Sequence, residues 1–175
     1  MKIATHNSAT GEPGHGLISW LVTPFARCQS KTIQEQLNSG CRLFDLRIRK
    51  TNRGWVFAHG LWQSKCTAED VLSLLNAYDD VIVNITYEGY PCDDYLPYVD
   101  WLVSTYRKVT FCQIAYKKPE WTVLKTYNYV CYKSGYLCLD WSSWHTWLPV
   151  PWIWKKLYNN HPVFSSDYFL MVDFL

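Results

Sequence analysis

The chain has 175 residues, 49% of them hydrophobic and 18% charged, with a formal charge of +2 at neutral pH. That is one domain's length, residues 1–175, with enough apolar mass for a core; it is too apolar for a disordered tail and too weakly basic to favour nucleic acid as a partner. Aromatic residues make up 17%, with 10 Trp and 13 Tyr, which predicts rings lining a pocket or meeting an amphipathic surface. In chain order, short β-like runs alternate with helix-like runs, the pattern of a mainly parallel sheet covered by helices. The first strand is expected over Lys2–Asn7, followed by a polar loop with Gly11, Pro13, Gly14 and Gly16 and an apolar patch, Leu17–Phe25, that periodicity leaves unassigned. Thr32-x-x-Glu35 then matches a capping box, with a helix over Thr32–Ser39 stopped at Gly40.

The second strand, Arg42–Lys50, alternates Phe44, Leu46 and Ile48 on one face with Asp45, Arg47 and Arg49 on the other. A third, Trp55–His59, precedes a helix opened by Thr67-x-x-Asp70 and then the β-rich run Val81–Ile85. A helix is expected over about Tyr95–Arg107, and further strands near Phe111–Tyr116, Trp121–Tyr127, Tyr136–Trp141 and Phe169–Phe174. About eight strands is the number that closes a small parallel barrel, but the later spacings are too short for a full helix each time. The expected fold is therefore α/β, a distorted, incomplete TIM-type (β/α)8 barrel with several outer helices short or missing.

Seven scattered cysteines, none in a C-x-x-C pair, read as free thiols in a reducing compartment. The polar start of the chain carries no signal peptide, and no run of about 18 apolar residues suggests a membrane-spanning helix. An intracellular protein, peripheral to membranes at most, is the expectation.

Chemistry-bearing residues stand where strands end: His6, Asp45 with Arg47, His59, and Asp173 inside an apolar final strand. In a parallel barrel these ends meet at one mouth. Each also has a plainer reading. A lone histidine at a strand end serves as a structural hydrogen-bonding group, and Asp45 with Arg47 suits the solvated face of a half-exposed antiparallel strand. Asp173 requires a cation or donor, since a carboxylate among apolar residues costs several kcal/mol unpaired; His6, on a neighbouring strand in a closed barrel, is the candidate. Two histidines, one backed by aspartate, plus a fixed guanidinium suit phosphodiester cleavage: one imidazole as base, the other as acid, with arginine on the phosphate.

Thr5-His6-Asn7-Ser8, then Gln34-x-Gln36-Leu37-Asn38-x-Gly40-Cys41-Arg42-x-x-Asp45-x-Arg47, then Ala58-His59-Gly60, with a terminal Val172-Asp173-Phe174, resemble the catalytic X-domain of phosphatidylinositol-specific phospholipases C, most closely the bacterial type. The resemblance covers about the first ninety residues and the last ten. It implies the incomplete barrel, with His6 as general base on the inositol 2-hydroxyl, Asp173 orienting it, His59 as general acid with Asp45 beside it, and Arg47 clamping the phosphate. It further implies a cyclic inositol phosphate that water opens more slowly. Asn7 stands where bacterial members carry an aspartate, as in the calcium-dependent eukaryotic enzymes. Calcium takes about six to eight oxygens; calcium or magnesium would draw on Asn7, Asp45 and Glu88, but Arg47 sits where another acid is needed, so no cofactor is expected. Thr86 falls where a headgroup-reading lysine is usual, leaving Asn7, Thr86, Lys125 and Lys133 as substrate-binding candidates.

Trp141, Trp144, Trp147, Trp152 and Trp154, followed by Lys155 and Lys156, suit packing beneath a loop or, as the second reading, a membrane headgroup layer; Pro149 and Pro151 argue against a continuous helix there. His15, His145 and His161 read as surface or structural. The expected partner is a phosphodiester lipid or its headgroup. Rival readings are a metal-dependent phosphodiesterase acting on glycerophosphodiesters or sphingolipids, and a catalytically silent headgroup-binding domain.

Overall fold

In the computed structural model, residues 2–90, 92–112, 138–140 and 169–172 are described. The strands among them are β1 (Lys2–Thr5), β2 (Cys41–Thr51), β3 (Gly54–His59), β4 (Trp62–Thr67), β5 (Ile82–Tyr87), β6 (Thr110–Cys112), β7 (Cys138–Asp140) and β8 (Phe169–Val172). The helices are α1 (Gly16–Ala26), α2 (Ile33–Asn38), α3 (Ala68–Leu75) and α4 (Tyr95–Thr105), with a 3₁₀ turn at Ser8–Gly11. The result is a mixed α/β fold built on one sheet.

Six strands run parallel in the order β7-β8-β1-β2-β5-β6. No pairing closes this arc into a barrel among the described residues. Within the mainly parallel sheet that the sequence suggests, β3 folds back antiparallel on β2, and β4, which periodicity missed, pairs antiparallel with β3. Two tight turns impose this. Thr51 pairs with Gly54, and His59 with Trp62, so each connection leaves two residues between paired ends, too few for any crossover. Gly60, at φ 59°, takes the positive-φ position of the second turn.

The two capping boxes form as expected: Thr32 with Glu35 starts α2, and Thr67 with Asp70 starts α3. The unassigned apolar patch is α1, in which Pro24 interrupts the hydrogen-bond ladder. The core lies between the sheet and α2, α3 and α4, where Phe44, Leu46, Ile48, Leu72, Leu75, Ile85 and Leu102 are fully buried. Gly11 packs so tightly that a Cβ there would lie 1.8 Å from the Lys31 carbonyl oxygen. That close approach fixes the loop after β1 against the start of α2.

Candidate active site

Two strands end at one point on β2. β1 pairs with β2 as far as Thr5 opposite Phe44, and β3 runs back along β2 from Thr51 opposite Gly54 to Ile48 opposite Phe57. Because β5 pairs with β2 from Leu43 to Ile48, it takes the other edge, and β1 and β3 must share one. His6 follows β1 directly. Extending the β3 register by two residues sets His59 level with Leu46. The two imidazoles therefore reach the Asp45–Arg47 stretch from opposite directions, a hairpin doing what the sequence reading assigned to a ring of parallel strands.

Asp45, 1% exposed, is the hub. Its Oδ1 accepts from Asn84 Nδ2 at 2.6 Å and its Oδ2 from the Asn7 backbone N–H at 3.1 Å. Arg47 Nε lies 3.5 Å and His6 Nε2 4.0 Å from Oδ2. Asn7 aims its N–H inward because it adopts a left-handed conformation, φ 43° and ψ 49°, which asparagine tolerates better than most residues. Burial alone would push the Asp45 carboxyl upward; the Arg47 charge, the Asn7 N–H and the Asn84 amide outweigh it and hold the group below the usual carboxylate range.

His6 is nearly buried. Arg47 Nη2 lies 2.8 Å from His6 Nε2 and Asn7 Nδ2 lies 3.3 Å from it. A guanidinium only donates, so Nε2 is the acceptor and carries the ring's lone pair. The Gln29 side chain donates to the His6 carbonyl at 3.1 Å, fixing the backbone that carries the ring. On its other side Arg47 Nη1 stands 3.9 Å from Glu88 Oε2, while Glu88 Oε1 accepts from the Gly60 N–H at 2.9 Å. Glu88 thus ties the tip of the β3–β4 hairpin to the guanidinium.

His59 is held differently. Its Nδ1 donates to the Ala26 carbonyl at 2.7 Å, and its ring also contacts Cys28. Burial depresses its basicity, but Cys28 and the Ala26 carbonyl prevail against burial and Arg47, and the imidazole titrates above its ordinary value. It opens with Glu88 onto a depression of about 350 Å³ also lined by Val22, Phe25, Ala26, Gly60 and Leu61.

Of the sequence-predicted residues, His6, Asn7, Asp45, Arg47 and His59 come together. Thr86 stands opposite Arg47 in the β2–β5 register, two positions from Asn84 and so on the same face. Asp173, Lys125, Lys133 and the Trp141–Trp154 segment lie outside the described residues; Val172, the last residue of β8, pairs with Thr5. Sequence reading missed Asn84, Gln29 and Cys28. Asn84 had a signal, a polar side chain inside the apolar run Val81–Ile85, the same signal that marked Asp173. Gln29 and Cys28 carry none, because only the loop after α1 brings them in.

The residues do not fit a divalent cation. Both Asp45 oxygens are engaged by donors, and Arg47 already lies between Asp45 and Glu88, where an ion bridging those carboxylates would meet a fixed positive charge. Among the described residues no cluster of three or more His, Cys, Asp or Glu has metal-holding geometry.

Two imidazoles and a guanidinium thus meet at the strand ends of a mixed α/β sheet. Among solved structures, the phosphatidylinositol-specific phospholipase C from Listeria monocytogenes matches over 99% of this chain and 88% of its own, with a TM-score of 0.69 at 12% identity. A double mutant of the phosphatidylinositol-specific phospholipase C from S. aureus matches over 69% of this chain and 38% of its own, with a TM-score of 0.43 at 18% identity. No family model and no curated protein matches the chain. The likeness to the Listeria enzyme is one of fold.

Proposed function

We propose that this chain, read as one catalytic unit, is a phosphodiesterase of the phosphatidylinositol phospholipase C type that cleaves a phosphodiester lipid by histidine acid–base catalysis without a metal. The observation that carries this reading is Arg47 Nη2 at 2.8 Å from His6 Nε2, with His59 close enough to feel the same guanidinium charge. An arriving phosphate competes for the planar fork of Arg47, which matches two of its oxygens. As Arg47 turns to the phosphate, the Nε2 lone pair is released. His6 then takes the proton of the attacking inositol 2-hydroxyl while its oxygen bonds to phosphorus; the bond to the diacylglycerol oxygen breaks, and His59 supplies that oxygen's proton. Cyclic inositol phosphate is the first product, opened by water with the proton roles reversed.

Asp173 is assigned to orient His6, supported by the pairing of its neighbour Val172 with Thr5. The arc of six parallel strands favours the incomplete barrel. Among the described residues no helix is long and apolar enough to cross a membrane. Yet α1 carries no charged residue and exposes Leu17, Ile18, Trp20, Leu21 and Phe25, with Leu61 exposed on the adjoining hairpin. Phe25 and Leu61 also border the His59 depression, which suits a substrate drawn from a lipid surface. The test is release of cyclic inositol phosphate from phosphatidylinositol vesicles by wild type, His6→Ala and His59→Ala, with and without EDTA. Activity in wild type alone, insensitive to chelator, is expected; chelator-sensitive activity would favour a metal-dependent diesterase, and binding without turnover a silent headgroup module.

A further inference from the structure

A chain of polar contacts joins the two histidines through a sulfur atom. Asn7 Nδ2, 3.3 Å from His6 Nε2, donates to Cys28 Sγ at 3.6 Å. Cys28 Sγ donates to the Ala26 carbonyl at 3.7 Å, the carbonyl that accepts from His59 Nδ1 at 2.7 Å. Cys28 is itself fixed: it is 1% exposed, and Thr10 Oγ1 accepts from its backbone N–H at 2.9 Å and from that of Gln29 at 3.1 Å. Burial among neutral dipoles leaves this thiol no solvent to pair with, so its hydrogen-bonding capacity is spent on the site.

We propose that Cys28 is a positioning residue for His59, its thiol fastening the imidazole and the Ala26 carbonyl to Asn7 on the His6 side. The proposal rests on the reading of His59 as general acid. The sulfur and the Ala26 carbonyl both place negative dipole density on the ring and favour its protonated form, while Nε2 is left for the leaving oxygen. Among the described residues, the titratable and charged groups facing His59 are Cys28 from the loop after α1, Arg47 from β2 and Glu88 beyond β5. Arg47 opposes protonation, which makes the neutral cradle matter.

Two measurements on wild type, Cys28→Ala and Cys28→Ser test this: the His59 ring titration by NMR without substrate, and kcat against pH on phosphatidylinositol vesicles. In Cys28→Ala the His59 midpoint should fall by about one pH unit and the alkaline limb of kcat should move down with it, roughly a tenfold loss above pH 7 and little at lower pH. Cys28→Ser, which keeps a donor and acceptor on a shorter bond, should fall between. If Cys28→Ala does not fold, Cys28→Val supplies the apolar comparison. An unchanged midpoint in the apolar variant, or equal loss at every pH in the serine and apolar variants, would overturn the proposal. A wild type whose His59 responds as expected but which releases no inositol phosphate supports the cradle and overturns the hydrolase reading instead.

Discussion

His6 and His59 are the same side chain in two different surroundings. His6 sits in an ionic knot, with Asp45 beneath it, Arg47 on its Nε2 and Asn84 and Asn7 completing the carboxylate's partners. His59 sits in a neutral cradle of a carbonyl and a thiol at the edge of an open depression. The first arrangement keeps a lone pair on Nε2 and the second favours the proton. On the proposed function, base and acid are set apart by partners rather than by residue type.

The largest effects should come from removing either imidazole. His6→Ala and His59→Ala are each expected to lose about 10²- to 10⁴-fold in turnover. A diester with a more acidic leaving group should restore part of the His59→Ala activity and none of the His6→Ala activity; equal rescue would erase the distinction between the two halves. Arg47→Lys keeps the charge but loses the fork, and about a 10²-fold loss in kcat is expected from steady-state kinetics. On the cradle side, Trp20→Ser combined with Leu21→Ser should reduce activity on vesicles about tenfold more than activity on a soluble diester. An equal reduction on both would detach α1 from lipid contact.

The smallest effect is on stability, where the two halves should respond to pH in opposite senses. Asp45 titrates below its ordinary value when folded, so the stability it contributes is present above the unfolded value and lost as pH falls through the folded one. His59 titrates above its ordinary value, so its contribution is complete below the unfolded value and lost as pH rises through the folded one. Asn84→Ala, which leaves Asp45 Oδ1 buried without its donor, should cost about 1–3 kcal/mol near neutral pH and less in acid. Thermal melts from acid to alkaline pH check both signs, and a cost for Asn84→Ala that does not shrink in acid would remove Asp45 from the centre of the knot.

Much of the site's inventory could be read from the chain. The alternation around Asp45 and Arg47, the histidines after Thr5 and Ala58, and both capping boxes are local patterns, and local patterns survive folding. The sequence reading brought the histidines together at the mouth of a mainly parallel barrel, whereas His59 arrives on an antiparallel hairpin. Turns of two residues after Thr51 and after His59 make β3 and β4 antiparallel, and periodicity reports which face a side chain takes without reporting which way the strand runs. Leu17–Phe25 resisted assignment because α1 is apolar nearly all round, so it lacks the polar face by which an amphipathic helix is recognised.

By itself, the amino-acid order determined which side chains the proposed acid–base reading draws on and where β1, β2, β3, β5 and the two capped helices lie, because alternation and capping depend on residues a few positions apart. Only the tertiary structure decided that β1 and β3 stop at the same point on one edge of β2, that Asn84 and Asn7 hold Asp45, and that Cys28 and Ala26 hold His59. The partners of Asp45 and of His59 stand more than 30 positions away in the chain and meet through strand register and close packing, which no local pattern encodes.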